Sequence, residues 1–88
     1  MKVTLYIIRG ILSDKKYIGI TNDLQRRLRE HRDGNSKGGQ IIGDFELIYT
    51  EEFDDYASAR KREIFLKSGQ GRKWINDNVM KTRLSRGG

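Results

Sequence analysis

Glu63 stands where a carboxylate is least expected. On a helical wheel Tyr56 falls at i−7, Ala59 at i−4 and Leu66 at i+3, so Glu63 interrupts the apolar or small stripe that should face a core. A carboxylate held there is partly desolvated and must be paired, protonated or bound to a cation. Snorkelling to water or pairing with Lys67 at i+4 would satisfy it as well. Arg27 and His31 lie one helical turn apart and share a face. A forked guanidinium beside an imidazole can clamp a phosphate, because its N–H groups match phosphate oxygens in pairs. The plainer reading is an Asp23–Arg27 pair on an exposed helix, worth about 0.2–0.5 kcal/mol. Tyr6 and Tyr17 fall on two strand-like runs, where facing tyrosines are ordinary. Gly19 lies inside an apolar strand, which it weakens unless a backbone, a helix or a ligand must approach closely.

The elements that must position these residues follow from the local pattern. Val3 to Arg9 is rich in β-branched and aromatic residues, and Lys16 to Thr21 repeats that character after Gly10 and a polar Ser13-Asp14-Lys15 turn, which predicts an antiparallel hairpin. Thr21 or Asn22 can cap a helix over Asp23 to His31, with Leu24 and Leu28 one turn apart and arginines near its end. Residues 33–39 are a loop by composition. Phe45, Leu47 and Tyr49 alternate with Glu46, Ile48 and Thr50 as a third strand. Asp54 or Asp55 then caps a helix from Tyr56 to Lys67, stopped at Ser68-Gly69, and Gln70 to Val79 predicts one more short helix. The order β-β-α-β-α-α is that of an α+β domain over residues 1–80, with 81–88 a frayed tail.

Composition narrows the function. With 88 residues the chain has room for one thin core. It has no Cys and one His, which removes disulfides, thiolate sites and multi-histidine cages and suits a reducing compartment. No apolar run approaches the roughly 20 residues of a membrane span, and the first residues lack a secretory pattern, so a cytoplasmic location is expected. The net charge of +6 is uneven: residues 44–55 hold six acids and no Lys or Arg, while the rest carries all 18 basic residues against six acids. Such a surface attracts polyanions, nucleic acid first among them. A Walker-type loop is absent, since Gly38-Gly39 lacks the Lys-Ser/Thr ending, and there is no nucleophile elbow.

Leu5-Tyr6-Ile7 followed by Tyr17-Ile18-Gly19, with ten residues between the two tyrosines, resembles the paired motifs of the GIY-YIG nuclease family. Thr21-Asn22-Asp23-Leu24-Gln25-Arg26-Arg27-Leu28-Arg29-Glu30-His31 is similar to that family's first-helix motif, and Ala59-Arg60-Lys61-Arg62-Glu63 to its second-helix motif. Residues 64–75 resemble the tail of small standalone members, so the resemblance covers about residues 3–76. It implies a small three-stranded antiparallel sheet flanked by helices and hydrolysis of DNA phosphodiesters with a divalent metal. Carried over, Glu63 would bind one Mg²⁺ or Mn²⁺ and Arg27 would contact the scissile phosphate. Tyr6 and Tyr17 would position or deprotonate the attacking water, and His31 would touch the phosphate or leaving group. Gly19, as the close-approach glycine, and Arg26, Lys37, Arg72 and Lys73 are the expected nucleic-acid contacts. The first motif departs from the family pattern at Thr4 and Leu5. Ile20 replaces a Lys of some repair nucleases, and either Asn76 or Asn78 could match a further family Asn.

The expected protein is therefore a weakly specific or structure-selective endonuclease of DNA repair or recombination. The competing readings are a non-catalytic nucleic-acid-binding module and a catalytic subunit that needs a protein partner. An 88-residue module carries no separate DNA-reading domain, so backbone charge or branched shape would guide it.

Overall fold

The fold was established from a computed structural model, which describes residues 2–33 and 43–80. Strands β1 (Val3–Gly10), β2 (Lys16–Thr21) and β3 (Phe45–Phe53) form one antiparallel sheet in the order β2-β1-β3. Helix α1 (Leu24–Arg32) follows β2, while α2 (Tyr56–Lys67) and α3 (Gly69–Ile75) follow β3; a π-helical turn, Asn76–Met80, closes the described chain. The element order is the expected β-β-α-β-α-α, and the expected frayed tail lies outside the described residues.

Because β1 is central, both of its faces need cover, and Leu5, Tyr6, Ile7 and Ile8 are all fully buried. Leu5 and Ile7 pack with Ile18, Leu66, Ile75 and Val79, so α2 and α3 lie on that face. Tyr6 and Ile8 pack with Leu28, Tyr17, Leu24 and Phe45 beneath α1. Burying a Leu or Ile contributes about 1.5–3 kcal/mol, so the run Leu5–Ile8 fixes β1 in the centre. The alternation expected along β3 breaks once: Ile7 faces Tyr49 and Ile8 faces Leu47, leaving Ile48 as an extra residue in a bulge. Ile48 and Tyr49 therefore both reach the α2/α3 side.

Capping chemistry sets the helix starts. Asp23, expected in the first turn of α1, is its N-cap and accepts from the Arg26 N–H at 3.2 Å. Thr21 stands one step back, its hydroxyl accepting from the Asp23 N–H at 3.0 Å. Asp55 caps α2, accepting from the Ser58 N–H at 2.7 Å. The last expected helix is in two pieces, because Ser68 caps α3 at Gly69 and the chain rewinds as a π turn from Asn76. Tyr56, expected on the buried stripe of α2, is exposed, since it opens the helix beyond the sheet's cover.

Candidate active site

Tyr6 and Gly19 face one another across the β1–β2 pair. A Cβ on Gly19 would lie 2.5 Å from the Tyr6 hydroxyl oxygen and 3.1 Å from Tyr17 Cε1, so the glycine is the space into which Tyr6 leans. From the other side α1 brings Arg27 and His31 over the same hydroxyl. Arg27 Nε donates to Tyr6 Oη at 3.3 Å, and His31 Nε2 lies 3.1 Å from Tyr6 Oη. An arginine N–H can only donate, so Tyr6 accepts from Arg27, while the direction of its bond to His31 is set by the imidazole tautomer. The His31 ring also meets Tyr17 edge-on at 4.9 Å and Phe45 at 6.0 Å. The expected Asp23–Arg27 pair is not formed. Asp23 is occupied as the cap, and Arg27 Nη1 donates instead to Glu30 Oε1 at 3.0 Å.

The electrostatics follow from this burial. Loss of water raises the Tyr6 hydroxyl above its ordinary pKa, more than the Arg27 hydrogen bond lowers it; the charges of Tyr17 and Glu63 add to the rise. Arg27 is held still more firmly charged than usual, first by its bond to Tyr6, then by Glu30, with a Tyr17 hydrogen bond contributing. Burial lowers the His31 pKa, Arg27 lowers it further, and Glu30 opposes them weakly. Near pH 7 the cluster is thus a neutral Tyr6 and a neutral His31 beneath a permanent cation, with His31 only 1% exposed.

Glu63 lies 7% exposed on α2 between Ala59 and Leu66, on the buried stripe where the wheel places it. It is paired as well: Lys67 Nζ is 3.0 Å from Oε2 and Arg60 Nη1 is 3.4 Å from Oε1. Among the described residues no group of three or more His, Asp or Glu side chains could cage a metal ion. A single hard carboxylate fits an ion such as Mg²⁺, which keeps most of its waters. The two cations on Glu63 have side chains 67% and 54% exposed and can swing into solvent. The Glu63 carboxylate therefore fits as a ligand for a hydrated divalent ion.

The other expected contacts are scattered. Arg26 is exposed on α1, with Nε 3.9 Å from Glu30. Arg72 and Lys73 are exposed on α3, where Lys73 pairs with Asp77 at 2.8 Å. Lys37 lies outside the described residues. Of the two asparagines, Asn76 forms the C-cap of α3 and Asn78 donates to the Trp74 carbonyl at 2.9 Å. Sequence reasoning missed Glu30 and Phe45. Glu30 had a signal, since it is i+3 from Arg27 and i+4 from Arg26. Phe45 had none, because its contact with His31 joins two elements through a tertiary fold.

Residues 2–76 match the family model described as the GIY-YIG catalytic domain. The chain belongs to the GIY-YIG family. It is similar to a UPF0213 protein of Klebsiella pneumoniae subsp. pneumoniae, 35% identical over 66 residues, 72% of this chain and 59% of that protein. A UPF0213 protein of Vibrio parahaemolyticus is 33% identical over 67 residues, 73% of this chain and 60% of that one. The chain thus spans about three fifths of the length of these curated relatives. The solution structure of a UPF0213 protein from Bacillus halodurans has the same fold, with a TM-score of 0.55 and 26% identity, covering 88% of this chain and 84% of that one.

Proposed function

We propose that this chain is an endonuclease that hydrolyses DNA phosphodiester bonds with one divalent cation, Mg²⁺ or Mn²⁺, held at Glu63. The observation that carries this reading is the Tyr6 hydroxyl held opposite Gly19 between Arg27 and His31, 3.3 and 3.1 Å away. When bound, the cation neutralises charge developing on the phosphoryl oxygens and acidifies its own waters. Arg27, fixed by Glu30 and both tyrosines, has N–H groups left for a phosphate oxygen and shares that charge. Tyr6 is a poor base at pH 7, its pKa being raised by burial, but a neutral imidazole 3.1 Å away can take its proton. Tyr6 takes the proton of the attacking water as its own passes to His31 Nε2, so His31 acts through Tyr6 from behind. Tyr17, whose ring packs against Tyr6 and His31, orients the incoming phosphate beside Arg27.

The rest of the reading is a single catalytic domain over residues 1–80. It works in the cytoplasm in DNA repair or recombination, and recognises nicked, flapped or branched DNA by backbone charge, with a protein partner where specificity is needed. The test is supercoiled plasmid and a branched oligonucleotide with wild-type protein and Glu63→Gln, each in Mg²⁺, Mn²⁺ or EDTA. Cutting that needs metal and is lost in Glu63→Gln is expected. If neither protein cuts while DNA binding stays salt-sensitive, the binding-module reading replaces it; the Arg60 and Lys67 pairs would then be the whole role of Glu63.

A further inference from the structure

Helix α1 carries a second basic flank that the tyrosine cluster does not use. At about 100° per residue, Gln25, Arg29 and Arg32 fall within about 60° of one another, and the centre of that stripe is about 150° around from Arg27 and His31. Among the described residues they line, with Leu28, a shallow open depression of about 340 Å³. Arg29 and Arg32 form no ion pair among the described residues, whereas the acid of this helix, Glu30, is shared by Arg26 and Arg27 on the other side. Arg32 Cζ lies over the Phe45 ring, 5.9 Å from its centre, within reach of a weak cation–π attraction. The same ring meets His31, so Phe45 lies between Arg32 and the tyrosine cluster.

We propose that this depression is a second phosphate-binding position, which holds the sugar–phosphate backbone of the nucleic acid on the flank of α1 opposite Tyr6. Two planar guanidiniums and a side-chain amide are donors, save the Gln25 oxygen; no acid among the described residues pairs with them, Asp33 at the end of α1 included, and they suit phosphodiester oxygens in pairs. The stripe spans eight residues, Gln25 to Arg32, about 10 Å along the helix. That length matches about three base-pair steps at 3.4 Å each. The two flanks are one helix diameter apart, about 10–12 Å. A strand bound at Arg27 and a second strand, or an arm of a branch, at Arg29 and Arg32 would straddle α1. The identity of the polyanion rests on the nuclease reading; the depression itself does not.

The experiment is fluorescence anisotropy of labelled duplex and branched oligonucleotides in EDTA, from 50 to 300 mM KCl, so that cutting plays no part. Wild type is compared with Arg29→Gln/Arg32→Gln and with Lys2→Gln/Lys61→Gln, which removes the same charge elsewhere. Losing two phosphate contacts should make the log–log salt slope shallower by about 1.4–1.8. The Kd at 100 mM salt should rise at least tenfold, with less than half of either change in the control. Equal effects in the two double variants, or an unchanged slope in the first, would overturn the proposal. So would loss of a labelled poly-glutamate peptide from the Arg29→Gln/Arg32→Gln variant with DNA binding intact, which would assign the depression to an acidic protein. Should the glutamine variant melt early, Arg29→Lys/Arg32→Lys keeps the charge: its slope should be retained while Kd rises severalfold. A protein that never cuts would sink the nuclease reading while leaving this comparison decisive.

Discussion

Gly19→Ala tests the geometry of the site with a single methyl group. Gly19 has no positive φ among the described residues, so its backbone suits alanine, and removing a strand glycine should by itself stabilise by about 0.5–1 kcal/mol. The contact reverses that sign. The new Cβ would meet Tyr6 Oη at 2.5 Å and Cζ at 2.7 Å, where ordinary contact begins at 3.4 Å, so the ring must retreat by about 1 Å. Tyr6 is fully buried and hydrogen-bonded at 3.1 and 3.3 Å, so a shift of that size breaks at least one of the two bonds. Overpacking costs about 1–3 kcal/mol and each lost bond about 0.5–1.5 kcal/mol. Set against the backbone gain, the net expectation is a loss of about 1–3 kcal/mol. A 1 Å misplacement of a reacting group costs about 10²-fold in rate. Urea unfolding and single-turnover plasmid cutting read the two effects separately. In Tyr6→Phe/Gly19→Ala the closest contact is gone, so its destabilisation should fall short of the summed single effects by about 1 kcal/mol. A Gly19→Ala protein as stable as wild type that cuts within threefold of it would refute the argument.

Other outcomes follow from the same contacts. His31 is neutral in the fold with its pKa lowered, so the unfolded chain takes up the proton first and stability should fall as pH drops below about 6.5. Melting from pH 7.5 to 5.5 should show that fall in wild type and not in His31→Asn; parallel curves would refute it. Arg62 reaches Glu51 through two bonds of 3.1 and 3.2 Å and stacks 4.5 Å from the Trp74 ring, so Arg62→Ala should lose about 1–3 kcal/mol in urea unfolding. A loss under 0.5 kcal/mol would mean the cluster is a solvated ornament. At Gly71 a Cβ would run into the Phe65 carbonyl and the Leu66 backbone, so Gly71→Ala should undock α3 and destabilise by about 2 kcal/mol or more. An unchanged midpoint would show that α3 can slide.

Much of this fold was legible because its signals are local. The hairpin, the end of α2 at Lys67 and the Asp55 cap each depend on residues within a turn of one another. The errors were also local but degenerate: Thr21, Asn22 and Asp23 are all good caps, and only the geometry shows that Asp23 takes the position while Thr21 supports it. The bulge at Ile48 was not legible, since an extra residue in a strand is detected only against its partner. The site residues were named by resemblance, and chemistry alone left Arg27 and Glu63 open. For Glu63 both readings describe real features, since it is buried on the stripe and paired with Lys67.

The reason lies in how the sheet divides the work. Alternate residues of β1 serve opposite layers, so Leu5 and Ile7 anchor α2 while Tyr6, between them, is presented to α1. A one-residue slip of β1 would exchange those faces and send Tyr6 toward α2, away from both Arg27 and His31. The long apolar run of β1 leaves that register undecided on hydrophobicity alone, because Leu5, Tyr6, Ile7 and Ile8 are buried on either face. Gly19 breaks the tie. It is opposite Tyr6, and moving the tyrosine one residue along β1 would set its ring against the side chain of Ile18 or Ile20 instead of an empty position. The glycine therefore selects the strand register that assembles the site, and the chemistry and the topology rest on the same missing methyl group.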